Sequence, residues 1–88
     1  MNDIIPISDG GCQLSNKDCS DVYSLLHNNS ISVAYTINLS DKPTGYDGIL
    51  HIIKIDNSYG RLFFYSNNGK VFTRVKSAGV LSSWIEIV

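Results

Sequence analysis

The sequence predicts a mainly β protein, a small antiparallel domain with one short helix near its N-terminus. Three observations carry that prediction. From residue 31 onward, β-branched and aromatic residues alternate with polar ones or run in short apolar blocks. Clusters of Gly, Pro, Asn and Asp separate the blocks, where only turn-forming residues fit. Between two such blocks stands Asn68-Gly69, the strongest short-range hairpin signal.

Taken in order, residues 1–30 read as loop and then helix. Ser8-Asp9-Gly10-Gly11 is a turn cluster. A helix is expected near residues 17–27. Ser15, Asn16 or Ser20 is available as its N-cap, and Asp18 and Asp21 lie near the positive end of its dipole. Cys19, Val22, Leu25 and Leu26 form one apolar stripe, and His27-Asn28-Asn29 supplies a stop because Asn tolerates the left-handed conformation.

Residues 31–88 then read as strands. Ile31–Ile37 alternates, with Ile31, Val33, Tyr35 and Ile37 on one face. Asp41–Gly48 is a loop punctuated by Pro43, Gly45 and Gly48. Ile49–Ile55 is apolar on both faces, which suits a central strand, and Asp56–Gly60 turns the chain. Arg61–Ser66 and Lys70–Lys76 flank Asn68-Gly69. A type I′ turn there pairs Tyr65 with Phe72, Phe63 with Arg74, Phe64 with Thr73 and Leu62 with Val75. That register sets Phe63 beside Arg74 as a cation–π pair. After a turn at Ser77-Ala78-Gly79, Ser82–Val88 is expected as a last strand, with Trp84 buried against the sheet as its largest anchor.

Composition narrows the function. Eighty-eight residues make one domain, 1–88, which buries roughly 60% of the surface its unfolded chain exposes. Hydrophobic residues reach 43% and charged residues only 17%, so the chain has a packed core and some flank is expected to be covered by another chain. Net charge is −1 with no basic stripe, which argues against nucleic acid as a partner. The apolar run Ile49–Ile53 is broken by His51 and far too short for membrane insertion. Met1–Pro6 has neither a basic nor an apolar signal region, so folding in a cytoplasm is expected.

Catalytic chemistry is not visible in the residues. Two histidines, His27 and His51, serve as a helix-end residue and a hydrogen-bonded strand residue. Asp41, Asp47 and Asp56 sit in loops, where Asp does turn chemistry. Cys12 and Cys19 have no ligand-spaced partners for a metal, and two free, half-buried thiols are expected. Neither enzyme activity, nor a cofactor, nor a metal is therefore expected. Tyr46, Tyr59 and Arg61 differ in kind, because loops offer them to a ligand. Tyrosine rings there act as stacking platforms, with Arg61 or Asp47 as hydrogen-bonding groups. Tyr59 with Arg61 is the favoured pair; Tyr46 and Tyr59 lie at opposite ends of one strand, roughly 23 Å apart, and cannot share a small ligand within one subunit.

Residues 31–88 also carry a resemblance. Lys42-Pro43, Gly48-Ile49-Leu50-His51-Ile52, Leu62-Phe63-Phe64-Tyr65, Asn68-Gly69-Lys70-Val71-Phe72-Thr73-Arg74 and Ser82-Ser83-Trp84-Ile85-Glu86-Ile87 follow one another in the order of a pyocin-knob type domain. Domains of that type occur in the tail fibres of bacteriophages and R-type pyocins. Ser30-Ile31-Ser32-Val33 departs from that family's Gly-aromatic opening, and Leu81 stands where a first Trp is common. The resemblance implies a compact antiparallel β knob. In it Trp84, Arg74, Phe72, Tyr65, Pro43 and Gly48 have structural roles. It further implies a virion tail protein, part of a homotrimer or bound to a larger tail-fibre protein, that attaches to a bacterial surface glycan or protein. A structural subunit that caps, joins or helps trimerise a fibre without touching the host is the alternative.

Overall fold

The computed structural model describes residues 17–37 and 39–88, together with the backbone of residues 4–5 and 14–15; the side chain of residue 37 is also left undescribed. The Ser8–Gly11 turn and Cys12 fall outside these residues. Cys19 is a free thiol, fully buried rather than half-buried.

The chain is mainly β, with one short helix. β1 (Ile4–Ile5) and β2 (Leu14–Ser15) are two-residue strands, followed by α1 (Cys19–Leu25). Four long strands come next: β3 (Ser30–Ile37), β4 (Gly48–Lys54), β5 (Gly60–Ser66) and β6 (Val71–Ser77). β7 (Val80–Leu81) and β8 (Ile85–Glu86) are again two residues each. The long strands form an antiparallel meander. β1 and β2 extend it in parallel along β3, and β7 and β8 pair with β6 at the other edge. β4 is central, as its doubly apolar sequence requires.

Helix α1 begins at Asp18, not at Ser15, Asn16 or Ser20. The Asp18 carboxylate accepts from Asp21 N–H at 2.8 Å, and the Asp21 carboxylate accepts from Asp18 N–H at 3.3 Å, a reciprocal capping box. The buried stripe is Cys19, Val22, Tyr23 and Leu26, while Leu25 is 68% exposed. Tyr23 replaces Leu25 because its ring reaches the sheet and its hydroxyl finds polar partners there. Asn29 ends the segment at φ +57°.

One face of the sheet carries the core. Leu50 and Ile52 of β4, Leu62 and Phe64 of β5 and Phe72 of β6 pack against the helix stripe and Leu39. On β3 the residues on the core side are Ser30, Ser32, Ala34 and Thr36, all buried. The apolar set Ile31, Val33 and Tyr35 points the other way. The alternation in β3 was legible, and its apolar face is the outward one.

The β5–β6 hairpin corrects the expected register by one residue. Phe64 faces Phe72, Leu62 faces Arg74, Phe63 faces Thr73 and Tyr65 faces Val71. The expected Tyr65–Phe72 and Phe63–Arg74 pairs do not form. The reason is the turn. Ser66 N–H donates to Lys70 O and Gly69 N–H to Ser66 O, both at 2.9 Å, so three residues, Asn67-Asn68-Gly69, make the loop. Gly69 alone has positive φ, +91°, which is a type I turn closed by a glycine bulge and not a type I′ turn. The two-residue turn with positive φ at both positions lies instead at Ala78 (+52°) and Gly79 (+81°), between β6 and β7.

The expected strand over Ser82–Val88 is reduced to β8. Leu81 pairs with Lys76 and Ile85 with Thr73, so three residues, Ser82, Ser83 and Trp84, oppose two on β6. This bulge turns both Leu81 and Trp84 toward the core, where they pack half-buried. Trp84 therefore precedes the strand and does not lie within it.

Candidate functional site

Two arrangements on this fold hold side chains in place, and two others leave them open.

The first closed arrangement is a latch around Asp41. Its carboxylate accepts from Cys19 N–H, the first N–H of α1, and from Arg74 Nη1, both at 2.9 Å. Arg74 also donates from Nε to Ser82 O at 2.8 Å, and its guanidinium lies 4.9 Å from the Trp84 ring centre. The Trp84 indole donates to Asp41 O at 2.7 Å and meets Phe64 edge-on at 6.1 Å. The cation–π partner of Arg74 is thus Trp84 and not Phe63, because the one-residue shift places Arg74 on the core face. Burial, then the neighbouring Asp41 charge, push the Cys19 thiol up, with Arg74 opposing.

The second is around Lys54, only 2% exposed. Its ammonium donates to the carbonyls of Tyr23 (3.1 Å) and Leu26 (2.9 Å) at the end of α1. A strand lysine so caps a helix that has no basic residue in its own last turn. Lys54 and Lys76 both stand over the Tyr23 ring, at 5.1 and 4.7 Å. Burial lowers the Lys54 pKa, the Lys76 charge adds to that, and Asp56 opposes it. Burial raises that of Tyr23, assisted by Asp56.

The first open arrangement is the sheet face turned away from α1. Cross-strand partners set it in three rows: Ile31–Ile53–Arg61–Val75, Val33–His51–Phe63–Thr73 and Tyr35–Ile49–Tyr65–Val71. Nine of these twelve positions are aliphatic or aromatic, and Arg61 is the single charged side chain. His51, Phe63 and Tyr65 stack along it with ring centres 5.6–6.4 Å apart, and His51 Nδ1 lies 3.1 Å from the Tyr65 hydroxyl. Ile31 is 42% exposed, Ile49 40% and Tyr65 37%. No described helix or strand packs over this face. At about 4.8 Å between strands and 6.7 Å between rows it measures roughly 19 by 20 Å in projection. A patch of that size is the usual extent of a monomer's largest apolar patch, which is often functional.

The second is a groove of about 300 Å³ at one end of that face, walled by Ile53, Ile55, Tyr59, Arg61 and Val75, with Gly60 at its base. Tyr59 and Arg61 therefore share one hollow. Tyr46, 55% exposed, sits in the loop before β4, beyond the opposite end of the strand. Asp47 beside it holds Lys42 at 2.8 Å, and its carbonyl accepts from Asn67 N–H at 2.9 Å, so it closes its own loop and ties it to the β5–β6 turn. Of the remaining named residues, Phe72 is in the core and Pro43 is half-buried in the same loop. A side chain at Gly48 would strike Tyr65 O and the Ser66 backbone.

Sequence reasoning did not find Tyr23, Asp41 or Lys54 as the residues that fix this architecture. A lysine inside an apolar strand and a tyrosine within a helical stripe were the available signals. Among the described residues no group of three or more His, Cys, Asp or Glu comes together to hold a metal, and no described helix is long and apolar enough to cross a membrane. Protein-family models, curated proteins and solved structures were compared with the chain, and none matches.

Proposed function

We propose that this chain is a non-catalytic binding module of the tail-fibre knob kind. It joins a virion assembly through the open sheet face and there attaches the particle to a bacterial surface. The observation that carries this reading is the face itself: three rows of cross-strand partners, apolar but for Arg61, His51 and Thr73, with the polar members of β3 turned inward. A strand that points its isoleucine, valine and tyrosine outward, and its serines and threonine inward, is patterned for a neighbour on that side. A covered face also supports a chain this small, whose own core supplies a modest margin. The partner in this reading is a larger tail-fibre protein or further copies of the chain in a homotrimer.

The shallow groove brings together the exposed Tyr59 ring and Arg61, unpaired among the described residues. It supports host attachment over a purely structural role, because a concave surface with an aromatic ring and a polar group is where a ligand is expected. The test is binding of the purified protein, side by side, to phage particles and to intact bacterial cells. Phe63→Glu, placed at the centre of the open face, is the variant. We expect the wild type to sediment as a complex, alone or with particles. The variant should be a folded monomer of about 9.7 kDa that no longer joins them. A wild type that stays monomeric at micromolar concentration and binds neither particles nor cells overturns the reading.

A further inference from the structure

We infer that the groove between Tyr59 and Arg61 is a binding site for a carboxylate-bearing sugar. The inference rests on the attachment half of the reading above and names the class of ligand.

The wall of the groove is built before any ligand arrives. Ile55 N–H and Asp56 N–H both donate to Tyr59 O, at 3.1 and 3.2 Å. The Tyr23 hydroxyl, reaching up from the core, lies 2.8 Å from both Tyr59 O and Asp56 O. The Asp56 carboxylate accepts from Ser58 N–H and Tyr59 N–H at 2.8 and 2.9 Å, and Gly79 N–H donates to Ser58 O at 3.1 Å. Gly60 is required for this lock, since a Cβ there would lie 2.1 Å from the Tyr23 hydroxyl. The backbone of Tyr59 is thus fully engaged while its ring is 52% exposed. A fixed backbone presenting a free aromatic ring binds with a reduced ordering cost.

The lining decides the ligand. Its polar side chains are Arg61, Ser77 and the Tyr59 hydroxyl, while the Lys76 residue borders it but sends its ammonium to the Tyr23 ring on the other side of the sheet; the lining contains no carboxylate and no side-chain amide. Asp56, the acid of the adjoining loop, spends its carboxylate on that loop's own N–H groups. Neutral sugars are held largely by carboxylates and amides that accept from their hydroxyls, and this groove offers donors. Arg61 has no hydrogen-bond or ion-pair partner among the described residues. Its planar fork matches a carboxylate with two parallel N–H bonds. Tyr59, Ile53, Ile55 and Val75 supply the apolar surface against which the C–H face of a sugar ring lies. The depression is shallow and open, with about 300 Å³ of room, so one sugar ring lies against it with its other face in solvent.

The experiment is a heteronuclear NMR titration of the intact chain with methyl glucuronide, with methyl glucoside, and with N-acetyl-phenylalanine as a mimic of a peptide C-terminus. We expect the amides of Tyr59, Gly60, Arg61 and Ser77 to shift with the glucuronide, with a Kd of about 1 mM for so small a ligand. The glucoside should bind about tenfold more weakly or worse, as should Arg61→Gln with the glucuronide. Tyr59→Ala should weaken it as well, without unfolding, because the contacts that fix the loop are made by its backbone. Equal response to the two sugars, shifts confined to other residues, unchanged affinity in Arg61→Gln, or preference for the peptide carboxylate each overturn the assignment. Cells adsorbed by a chain that ignores the glucuronide would overturn the ligand class and leave attachment standing. Glucuronide binding by a chain that adsorbs to no cell would support the ligand class and count against attachment.

Discussion

Replacing Asp41 tests the architecture at its most connected point. The Asp41 carboxylate holds two groups that have no better partner: the first N–H of α1 at Cys19, a residue with no exposure, and the Arg74 guanidinium. Hydrogen bonds to a charged group contribute about 1.5–3 kcal/mol each. The Arg74 side chain is 12% exposed but that of Asp41 is 34%, so solvent screening reduces the sum. Asp41→Ala is therefore expected to cost about 2–4 kcal/mol, a large part of the 5–15 kcal/mol of an ordinary domain. The melting temperature should fall by roughly 8–30 °C at 4–8 °C per kcal/mol. Asp41→Asn keeps an oxygen for Cys19 N–H and gives up the ion pair, at about 1–2 kcal/mol. Urea unfolding followed by Trp84 emission is the natural assay, since the sole tryptophan sits in the same latch. A cost below about 0.5 kcal/mol for Asp41→Ala would refute the reasoning. So would an asparagine variant as unstable as the alanine one.

Three further outcomes are expected. Ala78→Asn relieves a non-glycine residue at φ +52° in a two-residue hairpin and should raise stability by about 0.5–1 kcal/mol, read as a higher urea midpoint. Tyr23→Phe should cost about 1 kcal/mol and speed amide exchange at Ile55 and Asp56, because the loop loses its anchor from below; unchanged exchange there would contradict the lock. The pH dependence follows from Cys19. Its folded pKa lies above its ordinary value of 9.0, so the stabilisation is complete below pH 9 and falls as pH rises further. Cys19→Ala removes that loss, so the stability gap between wild type and variant should narrow between pH 7 and pH 10.5; a constant gap would show that the thiol does not titrate differently on folding.

The long strands and the helix were legible because their signals are local. Ile49–Ile55 announced a central strand by being apolar on both faces, and Asp18 and Asp21 lay at the right end of α1 for capping. The hairpin register was not legible from Asn68-Gly69 alone. Asn67 also fits a turn, and only the Ser66–Lys70 hydrogen bond distinguishes a three-residue loop from a two-residue one. Nor could the outward face of β3 be chosen from its alternation. That depends on which side of the sheet the core forms, and Ser32, Ala34 and Thr36 share the buried side with Leu50, Ile52, Leu62 and Phe64, a tertiary fact. The bulge at Ser82-Ser83-Trp84 was hidden for the same kind of reason, since a bulge is a mismatch between two strands and belongs to neither sequence alone. The Tyr59–Arg61 pair was within reach because a short turn keeps both at one end of the sheet. The anchor behind that turn was not, because Tyr23 comes from 36 residues away.

Both ends of α1 are finished by residues of the sheet side: Asp41 takes its first N–H, and Lys54 takes carbonyls of its last turn. A seven-residue helix is far below the length that persists alone in water. Its own capping box satisfies one end locally; at the other, Leu26 N–H closes on Tyr23 O and Asn29 turns the chain, but the Tyr23 and Leu26 carbonyls gain their lysine only when β4 is in place. Order of assembly follows from this. The β3–β4–β5 meander is expected to form before α1 is fully wound, with the helix docking on the sheet as a late event. Folding of this chain should be limited by strand pairing. Mutations in α1 should leave the folding rate nearly unchanged and speed unfolding, so the helix sets how long the native state lasts rather than how quickly it is reached.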